Sequence, residues 1–167
     1  MKLIYSTDGL KLQKEILEKK EKEYADIREE RKVAHDLSGD GWHDNPHFNR
    51  LQQLEANKNI EVKKLREQIE QADIIDYSNY IRPSTEVGIG SYVELKILYT
   101  EEKATQTQRW EIVCFGESDI SKSKLAYNTP LAQSILGLYE SEGTECELPR
   151  GLAQIEVIKI SKSLLVQ

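Results

Sequence analysis

Apolar residues recur with a helical period along the first half of the chain and with period two along the second. From Thr7-Asp8, a plausible N-cap, to about Ala34 there is no proline, and Leu10, Leu17, Tyr24, Ile27 and Ala34 fall on an a/d grid with Ile16 and Val33 beside it. A second helix is predicted from Pro46, with Asn45 as its cap. Along it Phe48, Leu51, Glu55, Lys58, Val62, Leu65, Ile69 and Ala72 step by alternating threes and fours, a coiled-coil spacing. Two such helices joined by a short tip near 36–47 predict an antiparallel hairpin. At 1.5 Å per residue, about 26 residues make a rod of about 40 Å.

Helical spacing stops after Asp76. Val93, Leu95, Ile97 and Tyr99 alternate with Tyr92, Glu94, Lys96 and Leu98, a half-buried strand. Thr100 to Thr107 reads as a polar connection, and Trp110, Ile112 and Cys114 as a second alternating run. Thr129-Pro130 opens a helix through about Tyr139, with Leu131, Ile135 and Leu138 on one face. Short and long strands follow at Glu145–Leu148 and Leu152–Ile160. The expected fold class is therefore α+β, with a helical hairpin over 1–76 and a small antiparallel sheet carrying one helix over 77–167.

Composition narrows the function. The 167 residues are 38% hydrophobic and 31% charged, a balance that fits a chain in which one part has much surface and little core. A net charge of −6 disfavours a general nucleic-acid binder held by phosphate contacts and favours a protein partner with a basic surface. Cys114 and Cys146 lie in strand-like runs without metal spacing, which predicts buried free thiols. The opening residues lack the apolar core of a signal peptide, and no stretch approaches about 18 consecutive apolar residues. The expectation is a soluble, cytoplasmic monomer with no membrane contact.

Chemistry concentrates at the predicted tip, from His35 to Phe48. It holds all three histidines, His35, His43 and His47, and three aspartates at four-residue spacing, Asp36, Asp40 and Asp44. Aspartate beside glycine is ordinary turn chemistry. The same cluster could also ligate a metal, although Pro46 stands between His43 and His47 and makes a shared helix face doubtful. Gly39 and Gly41 disfavour a helical tip. Trp42 reads as a loop anchor on its own stem or as a contact for a partner or a base.

The order of these segments resembles the bacterial Gre transcription elongation factors over nearly the whole chain. The most specific parts are Ile120-Ser121 with Leu125-Ala126-Tyr127-Asn128-Thr129-Pro130-Leu131-Ala132, and then Gly143-Thr144-Glu145-Cys146-Glu147-Leu148-Pro149-Arg150-Gly151. At the tip, Asp36-Leu37-Ser38 is similar to the family's Asp-Leu-Lys/Ser, and Asp44-Asn45-Pro46-His47-Phe48 to its Glu-Asn-Ala-Glu-Tyr. Five additional residues, Gly39 to His43, stand between them. The resemblance implies an FKBP-like C-terminal domain that docks on RNA polymerase, and a coiled coil that enters the secondary channel. It implies that Asp36 and Asp44 help hold a Mg²⁺ shared with the polymerase active site, with Asp40 a third carboxylate brought in by the insertion. It also places Asn128, Thr129 and Pro130 in the polymerase-contact segment. The chain would stimulate the polymerase's cleavage of backtracked RNA without being an enzyme by itself, meeting nascent RNA and DNA only within the elongation complex. Two other readings stay open: a polymerase-binding inhibitor without cleavage activity, and a metal-binding adaptor unrelated to polymerase.

Overall fold

The computed structural model describes residues 2–100 and 104–163. They form two compact units: Leu10–Asp73 with the residues up to Leu3, and Ile4–Gly9 with the chain from Ile74 onward. Among the described residues no helix is long and apolar enough to cross a membrane.

In the first unit, α1 (Thr7–Ser38) and α2 (Pro46–Glu70) flank a 3-10 turn, Gly39–Asp44. The cap of α1 is Ser6 rather than Thr7 or Asp8: its Oγ accepts from the Gly9 N–H at 2.9 Å. The helix runs four residues past Ala34, because nothing breaks it before Gly39, whose φ of +55° ends it in the left-handed conformation that glycine adopts without penalty. At the start of α2 the Asn45 side chain accepts from the His47 and Phe48 amides, and Pro46 fills the first helical position.

The seam between these helices is apolar near the tip and charged in the middle. Ala34, Phe48 and Leu51 form a buried cluster, and Val62 is buried further along. Between them Glu55, only 14% exposed, faces Arg31 Nε at 2.8 Å and Arg28 Nε at 3.7 Å. Lys58, 21% exposed, donates to Glu23 at 3.0 Å. Lys20 to Glu61 at 2.9 Å and Arg66 to Glu21 at 2.5 Å follow towards the base. From Glu55 through Lys58 to Glu61 the partners on α1 step back from Arg31 through Glu23 to Lys20, which is the antiparallel hairpin.

In the second unit, β1 (Ile4–Ser6) pairs with β2 (Asp73–Ile75). A five-stranded sheet follows, built from β3 (Tyr92–Tyr99), β4 (Ala104–Val113), β5 (Lys124–Ala126), β6 (Gly143–Leu148) and β7 (Gly151–Ser161) in the order β5-β4-β3-β7-β6. Four strands are antiparallel, as expected. The fifth, β5, joins β4 in parallel, so the sheet is mixed. The alternation of β3 puts Val93, Leu95, Ile97 and Tyr99 in the core with Ile112, Ala153, Ile155 and Val157, under Leu131, Ala132 and Ile135 of α3 (Pro130–Ile135). Two boundaries differ from expectation. The segment from Ala104 to Thr107 is strand, because continuous pairing with β3 outweighs its polarity. The helix stops at Ile135 rather than Tyr139, because Leu136 is extended and Gly137 has φ +82°. There the Gly137 N–H and Leu138 carbonyl bond to Val87 at 2.8 Å each, and Leu138 still packs on the core. Cys114 is buried as expected, but Cys146 is only half-buried, because β6 is an edge strand; both are free thiols.

The ionic seam predicts an acid response. Hydrogen bonds from Lys58 to Glu23 and from Lys20 to Glu61 hold both carboxyls below their ordinary value of 4.5. A carboxyl lowered on folding stabilises above its unfolded value and loses that contribution as pH falls through the folded one. Far-UV circular dichroism of the wild type should therefore lose helicity below about pH 4.5, with only a modest slope because both groups are exposed. The Glu23→Gln/Glu61→Gln variant should give a flatter profile there; superimposable profiles would contradict the assignment.

Candidate functional site

The hairpin end gathers the residues of the predicted site from two directions. His35, Asp36 and Leu37 occupy the last turn of α1, while Asp44 closes the 3-10 turn just before the cap of α2. One bridge joins the two sides. Asn45 Nδ2 donates to Ser38 Oγ at 2.6 Å, and that hydroxyl donates to the Ala34 carbonyl at 2.7 Å. The Asn45 N–H also closes on the Trp42 carbonyl at 3.2 Å. Asn45 thus caps one helix and is tied to the end of the other, so Asp36 and Asp44 are carried on the same end of the hairpin.

Both of these aspartates are exposed, and Asp36 Oδ1 lies 3.3 Å from His35 Nδ1. Asp40 sits in the 3-10 turn, but its side chain, like that of His43, lies outside the described residues. The backbone departs from expectation here. A 3-10 turn begins at Gly39 itself, since the glycine's left-handed φ ends α1 and lets the next residues wind tightly.

Trp42 packs on its own stem. Its ring meets Phe48 edge-on at 5.0 Å between centroids, and His35 stands 5.5 Å from Trp42 and 5.9 Å from Phe48. The Arg31 guanidinium lies 5.9 Å from the Phe48 ring while its Nε contacts Glu55. His47 Nε2 lies 3.5 Å from Glu30 Oε1. Among the described residues no three His, Cys, Asp or Glu side chains converge as a metal site. Asp36 and Asp44 present exposed carboxylate oxygens, the hard donor type that Mg²⁺ takes.

In the second unit, Thr129 is the cap of α3. Its Oγ1 accepts from the Ala132 N–H at 3.4 Å and donates to the Ala126 carbonyl at 2.8 Å. Pro130 starts the helix and is exposed; Asn128 is half-buried. Ile120, on a 3-10 turn capped by Asp119, is 82% exposed. Leu37 is 83% exposed beside Asp36, a position to which sequence reasoning gave no role. The helical stripe could not have found it, because Leu37 lies off the grid that Ala34 occupies. The bridge from Asn45 to Ser38 was also missed; the only signal was Asn45's capping chemistry.

Comparison with known proteins places the chain. The family profile described as "Transcription elongation factor, GreA/GreB, C-term" matches residues 82–162. The transcription elongation factor GreA of Nitratiruptor sp. is 30% identical over 148 residues, covering 86% of this chain and 87% of that protein. The GreA of Flavobacterium psychrophilum is 25% identical over 163 residues, covering 95% and 96%. Among solved structures, GreA factor homolog 1 (Gfh1) of Thermus thermophilus aligns over 96% of this chain and 99% of its own, at 16% identity and a TM-score of 0.43, a likeness too loose to carry an argument. The match to GreA over most of both chains and the profile over the sheet unit agree: the chain belongs to the GreA/GreB family of transcription elongation factors.

Proposed function

We propose that this chain binds RNA polymerase, enters its secondary channel with the hairpin and stimulates the polymerase's cleavage of backtracked transcripts, so that arrested complexes resume. The observation that carries the reading is the exposure of Asp36 and Asp44 at the end of a hairpin in a chain of the Gre family. The 25 residues of α2 make a rod of about 38 Å, enough to carry its end into a deep channel.

At the tip, Asp36 and Asp44 would share a Mg²⁺ with the polymerase active site, and Asp40 is a third carboxylate in the same turn. That ion, when bound, supplies a Lewis acid and an activated water for phosphodiester hydrolysis. The tip's own residues keep the carboxylates at the hairpin end: Asn45 closes the loop, and Trp42 seals it against Phe48. Leu37, exposed beside Asp36, is an apolar group open to the channel wall or to a base, and Trp42 would meet the partner with the part of its ring that the stem leaves uncovered. On the sheet unit, Asn128 and Pro130 would meet the polymerase surface, while Thr129 holds the turn that presents them. In this reading the chain completes a partner's active site and is not an enzyme alone.

A second reading, a channel-binding regulator without cleavage activity, is favoured by the rebuilt tip. By the resemblance at the tip, Gly39 to His43 are additional to the family's pattern, and they lie in the six-residue 3-10 turn.

Transcript cleavage in stalled elongation complexes decides between them. The wild type should shorten the RNA from its 3′ end, and Asp36→Asn or Asp44→Asn should each slow this roughly 10–100-fold, the range for losing a group that supports a metal. Cleavage at the wild-type rate by the double variant would reject the first reading; polymerase inhibition without shortening by the wild type would establish the second. The packing at the tip has its own test. Phe48→Ala should cost the hairpin about 3 kcal/mol by emptying the small cluster under Trp42. Amide exchange should then accelerate over residues 34–51 and stay unchanged over 92–99.

A further inference from the structure

The geometry points to the open edge of β4 as a docking site for an extended, acidic segment of a partner protein, added to the sheet as a strand. The ten residues of β4 are covered by β5 only at Glu111, Ile112 and Val113. The Glu111 N–H bonds outward to the Ser123 carbonyl at 2.8 Å, whereas the Ile112 N–H bonds inward to Ser91 at 2.9 Å. By strand alternation, the N–H and C=O groups of Thr105, Thr107 and Arg109 also point outward. Among the described residues no strand pairs with them. Ser123, with φ +53°, turns the chain away just before β5 begins, which leaves this stretch uncovered.

Natural sheet edges are usually blunted by lysine, proline or a bulge. Here Thr105-Gln106-Thr107-Gln108 carries neither charge nor proline, and its register with β3 is unbroken. The edge ends at a groove of about 370 Å³ lined by Tyr92, Val93 and Trp110 and rimmed by Arg109, Lys122 and Lys124. Glu111 also lines it, but its carboxylate is engaged by Arg82 at 2.8 Å and Lys124 at 3.9 Å. Arg109 pairs with Glu94 at 3.4 Å and Lys122 with Asp119 at 3.3 Å. In each pair the cation is the more exposed member, Lys122 at 71% against 35%, Arg109 at 40% against 20% and Lys124 at 39% against 12%, so the rim turns its cations outward to an incoming carboxylate. Backbone bonds along the edge would supply affinity, an apolar side chain in the groove would set register, and the cationic rim would select acidic sequence.

The test is an amide NMR titration of the full chain with the blocked peptide threonine-valine-threonine-phenylalanine-aspartate-glutamate. Saturable shifts should appear at Thr105, Thr107, Arg109 and the Trp110 indole. N-methylating alternate peptide residues in one phase should weaken binding about ten-fold or more, and in the other phase by no more than about two-fold, because only one phase donates to the edge. Lys122→Glu/Lys124→Glu should weaken this peptide and strengthen one with lysines in place of its acids. Absence of shifts at millimolar peptide, shifts on another face, or equal effects of both methylation phases would overturn the proposal. So would peptide-free self-association that protects the same amides, since the edge would then belong to a second copy.

Discussion

A hairpin of two helices has one seam, and in this protein the middle of that seam is charged. Helices in proteins gain most of their stability from burying an apolar stripe, and here Glu55 and Lys58 interrupt it. Half-buried charges are tolerable only when paired, because an unpaired one carries the full cost of leaving water. Glu55 meets Arg28 and Arg31, and Lys58 meets Glu23 and Glu61. Sliding α1 by one heptad would instead bring Glu21 and Tyr24 to Glu55 and Ile16 to Lys58. The polar midsection thus adds little to stability but opposes that slide, which an all-leucine seam would not. Apolar packing lies on either side of it, with Val62 towards the base and Ala34, Phe48 and Leu51 meeting at the tip.

This division of labour matters for the carboxylates. A loop of charged and small residues at the end of a bare rod would fray, and its side chains would average over many positions. Here the aromatic contact between Trp42 and Phe48 and the hydrogen-bond chain from Asn45 through Ser38 to Ala34 fasten the last turn. Asp36 and Asp44 are exposed yet attached to ordered backbone. In the proposed function, that combination leaves little ordering for the moment of binding.

Much of the fold was legible because its signals are local. The heptad steps from Phe48 to Ala72, the pair Asn45-Pro46 and the alternation of Val93 to Tyr99 each report on their own neighbourhood. What escaped depends on partners distant in sequence. Lys124–Ala126 is too short to show a period and is strand only because Glu111–Val113 lies beside it. Thr105 and Thr107 read as loop because their polarity was weighed without β3. At the tip, residue types and their grouping were visible, but Gly39 and Gly41 pointed away from helical structure. The glycine in fact serves to end α1 and begin a tighter turn. Trp42's stem contact was one of two readings, and only the position of Phe48 distinguishes it.

The bridge between Asn45 and Ser38 has an evolutionary implication. It closes the hairpin across the ends of both helices, and of the loop between them Trp42 packs back on the stem. Loop-closure entropy changes only slowly with a few added residues, so the bridge tolerates changes in the loop that keep Gly39 as the helix stop and Trp42 on Phe48. Substitutions that spare Gly39, Trp42 and the bridge can thus change the chemistry presented at the end of the rod without disturbing its stem.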